Sequence, residues 1–186
     1  MPTDAIFSAT EAHMKQTIEA LQHDLSTIRT GRASPNLLDR VLVDYYGSQT
    51  PVSALATISV PEARLIAIQP WDKQAFQAIE KAIQKSDLGL TPSSDGTTIR
   101  LAIPELTDER RQQLAKMVQK RAEEARVAVR NARRDGVDAV RKEEREKKVS
   151  EDESHRGQEQ LQKLTDRFIG EVDQIGKNKE REIMDQ

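Results

Sequence analysis

The sequence predicts an α+β protein: an elongated antiparallel three-helix bundle with a small α+β module inserted between its first and second helices. Three observations predict it. Apolar residues recur at helical spacing over residues 4–30, 107–148 and again beyond Ser150, each time on one narrow stripe. Between the first two helical stretches, from Leu38 to Ile103, the pattern changes to short alternating runs separated by Gly and Pro. No proline interrupts residues 105–186. Long helices that each carry a single stripe can bury those stripes only against one another, which makes a bundle.

The elements follow in order. In the first helix Phe7, Met14, Ile18, Leu21, Leu25 and Ile28 alternate like a coiled-coil seam, and the helix is expected to stop at Thr30-Gly31-Arg32-Ala33-Ser34-Pro35. Val41, Val43 and Tyr45 alternate with Leu42, Asp44 and Tyr46 as a strand, with Gly47-Ser48 as the hairpin turn candidate. Ile58 and Val60 form a second run, ended by Pro61, and Arg64–Ile68 a third. Asp72 is placed to cap a short helix lined by Phe76, Ile79 and Ile83. Residues 88–92 and 93–96 read as loops, and Thr98–Ile103 as the last strand of the module. Four of the six aromatics (Tyr45, Tyr46, Trp71 and Phe76) fall in this module, where they are expected to fill a small core rather than stack on bases.

Thr107 then suits the N-cap of a second long helix, whose apolar stripe is Leu114, Val118, Ala122, Ala125, Val129, Ala132, Gly136 and Val140. Ser150-Glu151-Asp152-Glu153 matches a capping box and opens a third, with Leu161, Leu164, Phe168, Val172, Ile175 and Ile183 inward. The division into domains is therefore residues 1–30 with 107–186 as the bundle, and residues 31–106 as the insert. The insert is entered at Thr30, Gly31 and Arg32 and left at Pro104 and Glu105. Two thin crossings with little apolar bulk suggest a hinge, although a paired connection can equally form a rigid elbow.

Composition narrows the function. Hydrophobic residues are 36% and charged residues 32% of the chain, a polar balance that suits an extended helical body. There is no cysteine, hence no disulfide, no thiolate nucleophile and no Cys-based zinc site. His13 and His23 lack a ligand pattern, so no metal is expected. No phosphate-binding glycine loop or nucleophile elbow is present, so the chain reads as a binding protein without a catalytic site or a cofactor. No apolar run is long enough to span a membrane, and the N-terminus lacks the features of a signal peptide, which points to the cytoplasm.

The net charge of −2 conceals a segregation. Residues 107–148 carry 14 Lys and Arg against 9 Asp and Glu, whereas residues 149–186 carry 6 against 10. Within the basic helix, Arg126, Arg130 and Arg133 share the face next to the apolar stripe, with Arg134 and Arg141 at its edge. On charge alone a solvated face is the default reading. Against it stand the choice of Arg, which suits phosphate, and the presence of Glu123 and little else at helical spacing to neutralise the row.

Several segments together carry a resemblance. Arg29–Pro35, Asp44-Tyr45-Tyr46-Gly47, Asp87-Leu88-Gly89-Leu90, Leu106–Arg111, Ala125–Asn131 and Ser150–Glu153, in that order over essentially the whole chain, closely resemble the bacterial ribosome recycling factor family. The resemblance implies an L-shaped monomer of tRNA-like dimensions that binds the ribosome after termination and, with elongation factor G and GTP hydrolysis on that partner, separates the subunits. It implies that the bundle lies against large-subunit rRNA near the inter-subunit bridges. The arginines associated with that contact correspond to Arg130 and Arg133, and Arg126 and Arg134 extend the patch on physical grounds. It implies further that the crossings around Gly31 and Pro104 are the interdomain hinge. A helix-binding adaptor with solvated arginines and an enzyme with a dispersed site are the rival readings.

Overall fold

The computed structural model describes residues 2–185. The chain separates into two compact units: one runs to Thr30 and resumes at Thr107, and the other is Gly31–Leu106.

The first unit is a bundle of α1 (Pro2–Ser26), which precedes the second unit in the chain, and two longer helices that follow it, Asp108–Arg145 and Glu151–Met184. Within it, the Asp108–Arg145 helix has 38 residues and is thus about 57 Å long at ~1.5 Å per residue. It packs against both of the others. Its buried residues are Leu114, Val118, Ala122, Ala125, Val129, Ala132, Gly136 and Val140, the stripe expected from spacing. In α1, Met14, Ile18, Leu21 and Leu25 are buried, while Phe7 is half-buried and Thr10 takes an inward place. In the last helix Ile175 is half-buried and Gly176 faces in. The buried hydroxyls are locally satisfied. Thr10 Oγ1 donates to the Ile6 carbonyl at 2.9 Å and Thr165 Oγ1 to that of Leu161 at 2.7 Å.

The helix ends follow from specific side chains. Thr107 Oγ1 accepts from Arg110 N, and Ser150 and Glu153 complete a reciprocal capping box. Between the two long helices, Lys147 adopts φ 59°. Lys147 N donates to the Glu144 carbonyl and Lys148 N to that of Glu143, the pair of bonds that closes a Schellman motif. One boundary departs from expectation: α1 ends at Ser26, four residues before Thr30. Ser26 Oγ donates to the His23 carbonyl and Thr27 Oγ1 to that of Asp24, and the backbone bonds tighten to i−3. Hydroxyls competing for the last carbonyls stop the helix early, yet Ile28 remains buried.

The second unit contains a hairpin, β1 (Leu42–Tyr45) with β2 (Ser48–Pro51), and a four-stranded antiparallel sheet. The sheet strands are β3 (Ala56–Glu62), β4 (Leu65–Pro70), β5 (Pro92–Ser94) and β6 (Ile99–Ala102), in the spatial order β3-β4-β6-β5. Helix α2 (Lys73–Lys85) lies between β4 and β5 in sequence. The bundle helices Asp108–Arg145 and Glu151–Met184 are accordingly α3 and α4. Ile66 pairs with Leu101 and Ile68 with Ile99 across β4 and β6, and all four are fully buried with Ala75, Ile79 and Ile83 of α2. Asp72 caps α2, accepting from Ala75 N at 2.6 Å.

Three expectations for this unit need correction. The hairpin turn is Tyr46-Gly47, one residue earlier than Gly47-Ser48. Both residues have positive φ, 52° and 78°, the requirement of a two-residue I′ turn. Residues 92–94, read as loop, form an edge strand that tolerates Pro92 because an edge position need not donate on both sides. The aromatics contribute to the core only at its margin, where Tyr45 and Phe76 pack against it. Tyr46 is 76% and Trp71 66% exposed, while Tyr45 and Phe76 are half-buried. Aliphatic residues from the sheet, β1 and α2 close the interior instead.

Tyr45 Oη donates to Asp72 Oδ2 at 2.7 Å. That bond raises the Tyr45 phenol to about 12. The Ala75 amide first, then Tyr45, holds the Asp72 carboxyl below its usual range. The link is therefore complete at neutral pH. On the acid side it weakens as pH falls below the ordinary carboxylate range, and on the alkaline side as pH rises through the raised phenol value.

Gly136 marks the closest approach in the bundle. A Cβ there would stand 2.7 Å from Thr10 Oγ1 and 3.1 Å from Leu161 Cδ1, whereas one at exposed Gly170 would meet nothing within 4 Å. Gly170→Ala should therefore stabilise the bundle by up to about 1 kcal/mol through helix propensity. Gly136→Ala should instead destabilise it by about 1–2 kcal/mol, with part of the loss recovered by Thr10→Ala. Denaturant melts of the three variants test this, and equal effects at the two glycines would refute the close-approach assignment.

Candidate nucleic-acid interface

The arginine row lies on α3 because its angular position is tied to the buried stripe. With Val129 fully buried and Ala132 2% exposed, Arg126, Arg130 and Arg133 fall on the next face round. All four arginines singled out from sequence are on this helix and on this side of it, but their surroundings differ.

Arg126 is the most engaged. Its Nε donates to Asp173 Oδ1 of α4 at 2.7 Å and its Nη1 to Glu123 Oε2 at 2.9 Å. Its side chain is only 27% exposed, and the Asp173 bond, followed by that to Glu123, raises its pKa further. Within α3 Glu123 is the carboxylate that meets the row, at Arg126 and Arg130, and α4 contributes a second one from outside that spacing. Asp173 is 47 residues from Arg126, so helical spacing within α3 could not reveal it. With two anionic partners and a largely covered stem, Arg126 is foremost a tie between α3 and α4.

Arg130 is nearly half exposed and has a looser contact, 3.6 Å from its Nη1 to Glu123 Oε1. Arg133 is half-buried and donates through Nη1 to Gln162 Oε1 of α4 at 2.6 Å. Arg134 is exposed and, among the described residues, has no hydrogen bond or ion pair. Arg130, Arg133 and Arg134 therefore keep charge available to an external anion, and planar guanidinium groups suit phosphate. Exposed Val127, 46% accessible, sits about one turn before Arg130 and about two before Arg134.

At the crossings, Thr30 is buried and Gly31 has φ 75°, a conformation that favours glycine. Arg32, Pro104 and Glu105 are exposed. Sequence reading missed what anchors the insert's two ends. Ala33 N donates to the Ala63 carbonyl and Ile103 N to that of Arg64, both at 2.8 Å, while Arg64 Nη1 lies 3.0 Å from Glu105 Oε1. Both chain ends are thereby fastened to one turn, that between β3 and β4. Hydrogen bonds between distant backbone groups leave no periodic signal, so only the fold discloses them.

No three His, Cys, Asp or Glu side chains among the described residues could hold a metal ion together. Among the same residues, no helix is long and apolar enough to cross a membrane.

Comparison with known proteins adds independent findings. A family model described as ribosome recycling factor matches residues 21–184. The ribosome-recycling factor of Syntrophomonas wolfei is 57% identical over 180 residues, covering 97% of both chains. That of Carboxydothermus hydrogenoformans is 58% identical over 179 residues, covering 96% of this chain and 97% of its own. A solution structure of a ribosome recycling factor superposes with a TM-score of 0.78 at 44% identity, covering 100% of this chain and 99% of that one. The T. thermophilus ribosome recycling factor, from models in which it and the E. coli elongation factor G are bound to the E. coli post-termination complex, gives a TM-score of 0.66 at 44% identity, covering 99% of this chain and 100% of that one.

The contrast between Arg126 and Arg134 has a measurable consequence. Arg126→Ala should lower bundle stability by about 1–2 kcal/mol, since it removes two charge-assisted bonds and stem packing. Arg134→Ala should change it by less than about 0.5 kcal/mol. Urea denaturation of the two variants checks this, and equal stabilities would contradict the tie.

Proposed function

The chain belongs to the ribosome recycling factor family, and on that premise we propose that it binds the post-termination ribosome and, with elongation factor G and GTP, separates the subunits. The observation that carries this reading is the near-full-length relationship to proteins named for ribosome recycling, one of them placed with elongation factor G on a post-termination complex. The working compartment is then the cytoplasm, and the working form a monomer.

In this mechanism the arginine face of α3 anchors the bundle to large-subunit rRNA near the inter-subunit bridges. A-form RNA presents little readable sequence in its major groove, so the anchor works by charge and shape. Arg130, Arg133 and Arg134 supply the guanidinium groups that meet phosphate, while Arg126 keeps α3 and α4 in register beneath them. The inserted unit, entered through Thr30, Gly31 and Arg32 and left through Pro104 and Glu105, receives the push of elongation factor G. The hinge is confined to these short stretches because Ala33 and Ile103 are already fastened to the β3–β4 turn. Energy comes from the GTPase partner, and this chain acts as the lever.

Arg130→Ala combined with Arg133→Ala should weaken binding to post-termination ribosomes. It should also reduce the slope of log affinity against log salt by roughly 0.7–0.9 for each phosphate that is no longer neutralised. An unchanged affinity and slope in the folded double variant would rule out the anchor. For the hinge, inserting a Gly-Ser pair after Gly31 and after Glu105 should leave ribosome affinity unchanged but slow GTP-dependent subunit splitting, because slack crossings cannot transmit a push. Splitting at the normal rate would show that force does not pass through them.

A further inference from the structure

Arg133 differs from the other arginines of the row in being held by a neutral group. Its Nη1 donates to Gln162 Oε1 at 2.6 Å, and Gln162 Nε2 in turn donates to Asp166 Oδ1 at 2.9 Å. The orientation of the amide is dictated by its neighbours. A guanidinium can only donate and a carboxylate can only accept, so the Gln162 oxygen must face Arg133 and its nitrogen must face Asp166. Gln162 and Asp166 stand one turn apart on α4, the spacing at which such side chains meet on a helix surface. Gln162 is thus fixed from behind and presents its oxygen across the helix–helix seam to a residue 29 positions earlier.

Comparison with Arg126 shows what a neutral holder achieves. Arg126 is oriented by two carboxylates, which compensate its charge as they position it. Arg133 has a hydrogen-bond acceptor in place of an ion-pair partner, and the carboxylate that steadies the system is set back behind the amide. We propose that Gln162, steadied by Asp166, is a positioning residue for ribosome binding: it holds the Arg133 guanidinium in one orientation on the arginine face without neutralising it. This rests on the anchor role given above to Arg133. A pre-oriented guanidinium loses less side-chain freedom when it meets a phosphate, and an uncompensated one displaces the counterion condensed on that phosphate more completely than a paired one would. The carboxylates on α4 are otherwise a hazard to an RNA-binding face, and the glutamine is where α4 touches that face without adding charge to it.

Three substitutions separate orientation from charge. Gln162→Ala should lower affinity for post-termination ribosomes about three- to tenfold, the range of one hydrogen bond, with the salt slope unchanged because Arg133 keeps its charge. Gln162→Glu should lower both affinity and slope, since the new carboxylate compensates Arg133. Gln160→Glu adds the same charge elsewhere on α4 and should leave the slope at the wild-type value. In an Arg133→Ala background, Gln162→Ala should have no further effect. If it costs as much there as in the wild type, or if the Ala and Glu variants share one slope, the positioning role is wrong.

Folding is followed by circular dichroism in every variant. The orientation itself is read without the ribosome, from the guanidinium NMR signals of Arg133. These should show hindered rotation in the wild type and free rotation in Gln162→Ala, and free rotation in both would overturn the proposal. Should Arg133→Ala alone leave affinity and slope untouched while the NMR contrast holds, the anchor reading fails and the geometric hold on Arg133 stands apart from it.

Discussion

The bundle depends on one thin seam of small residues along α3. Ala125, Ala132 and Gly136, with Val129 between them, form a stripe with little side-chain bulk. At Gly136 the approach is so close that a single added carbon would collide with Thr10 of α1 and crowd Leu161 of α4. Close packing of this kind makes the interhelical register sensitive to one methyl group. It also sets the angular position of everything else on α3. Once the seam is buried, the arginine face must emerge beside it, along the edge shared with α4.

That geometry explains why one row of similar residues contains different kinds of arginine. Those nearer the seam come within reach of α4 and are held by it, Arg126 by Asp173 and Arg133 by Gln162. Those turned further outward, Arg130 and Arg134, have weak partners or none among the described residues. The acidic character of α4 is therefore not simply a solubilising contrast to basic α3. Its side chains decide which arginines are tied into the bundle and which keep their guanidinium groups open to solvent. On the anchor role proposed above for the arginine face, the division places structural and recognition duties on successive turns of one helix.

The insert solves a different problem. With fewer than 80 residues it must build a core by itself, and it does so with aliphatic side chains from β4, β6, β1 and α2. This leaves Trp71 and Tyr46 largely exposed. Each is anchored at its edge: Trp71 Nε1 donates to Thr57 Oγ1 at 3.2 Å, and the Tyr46 ring meets Tyr45 edge-on at 4.5 Å. The insert's two chain ends converge on Ala63 and Arg64, so a two-residue turn secures both entry and exit. A small unit joined in this way has defined ends even though its connections are short and polar.

Sequence by itself determined the elements whose signals are local or periodic. The inward residues of α3 were legible in full because a helix repeats its geometry every 3.6 residues, and Thr107, Ser150 and Asp72 were legible as caps because a cap acts within three residues. The position of the arginine row relative to the seam followed from the same periodicity. Tertiary structure alone decided what lies across from each residue. Asp173 and Gln162 became partners of Arg126 and Arg133 only through the register of two helices. Pro92–Ser94 became a strand only because β6 was there to pair with it, and Tyr46 and Trp71 stayed outside because aliphatic residues, flanked by Tyr45 and Phe76, had already closed the core. The physical reason is the same in each case: periodicity and capping are properties of one segment, whereas partnership across a seam or a sheet depends on where a second segment stops sliding.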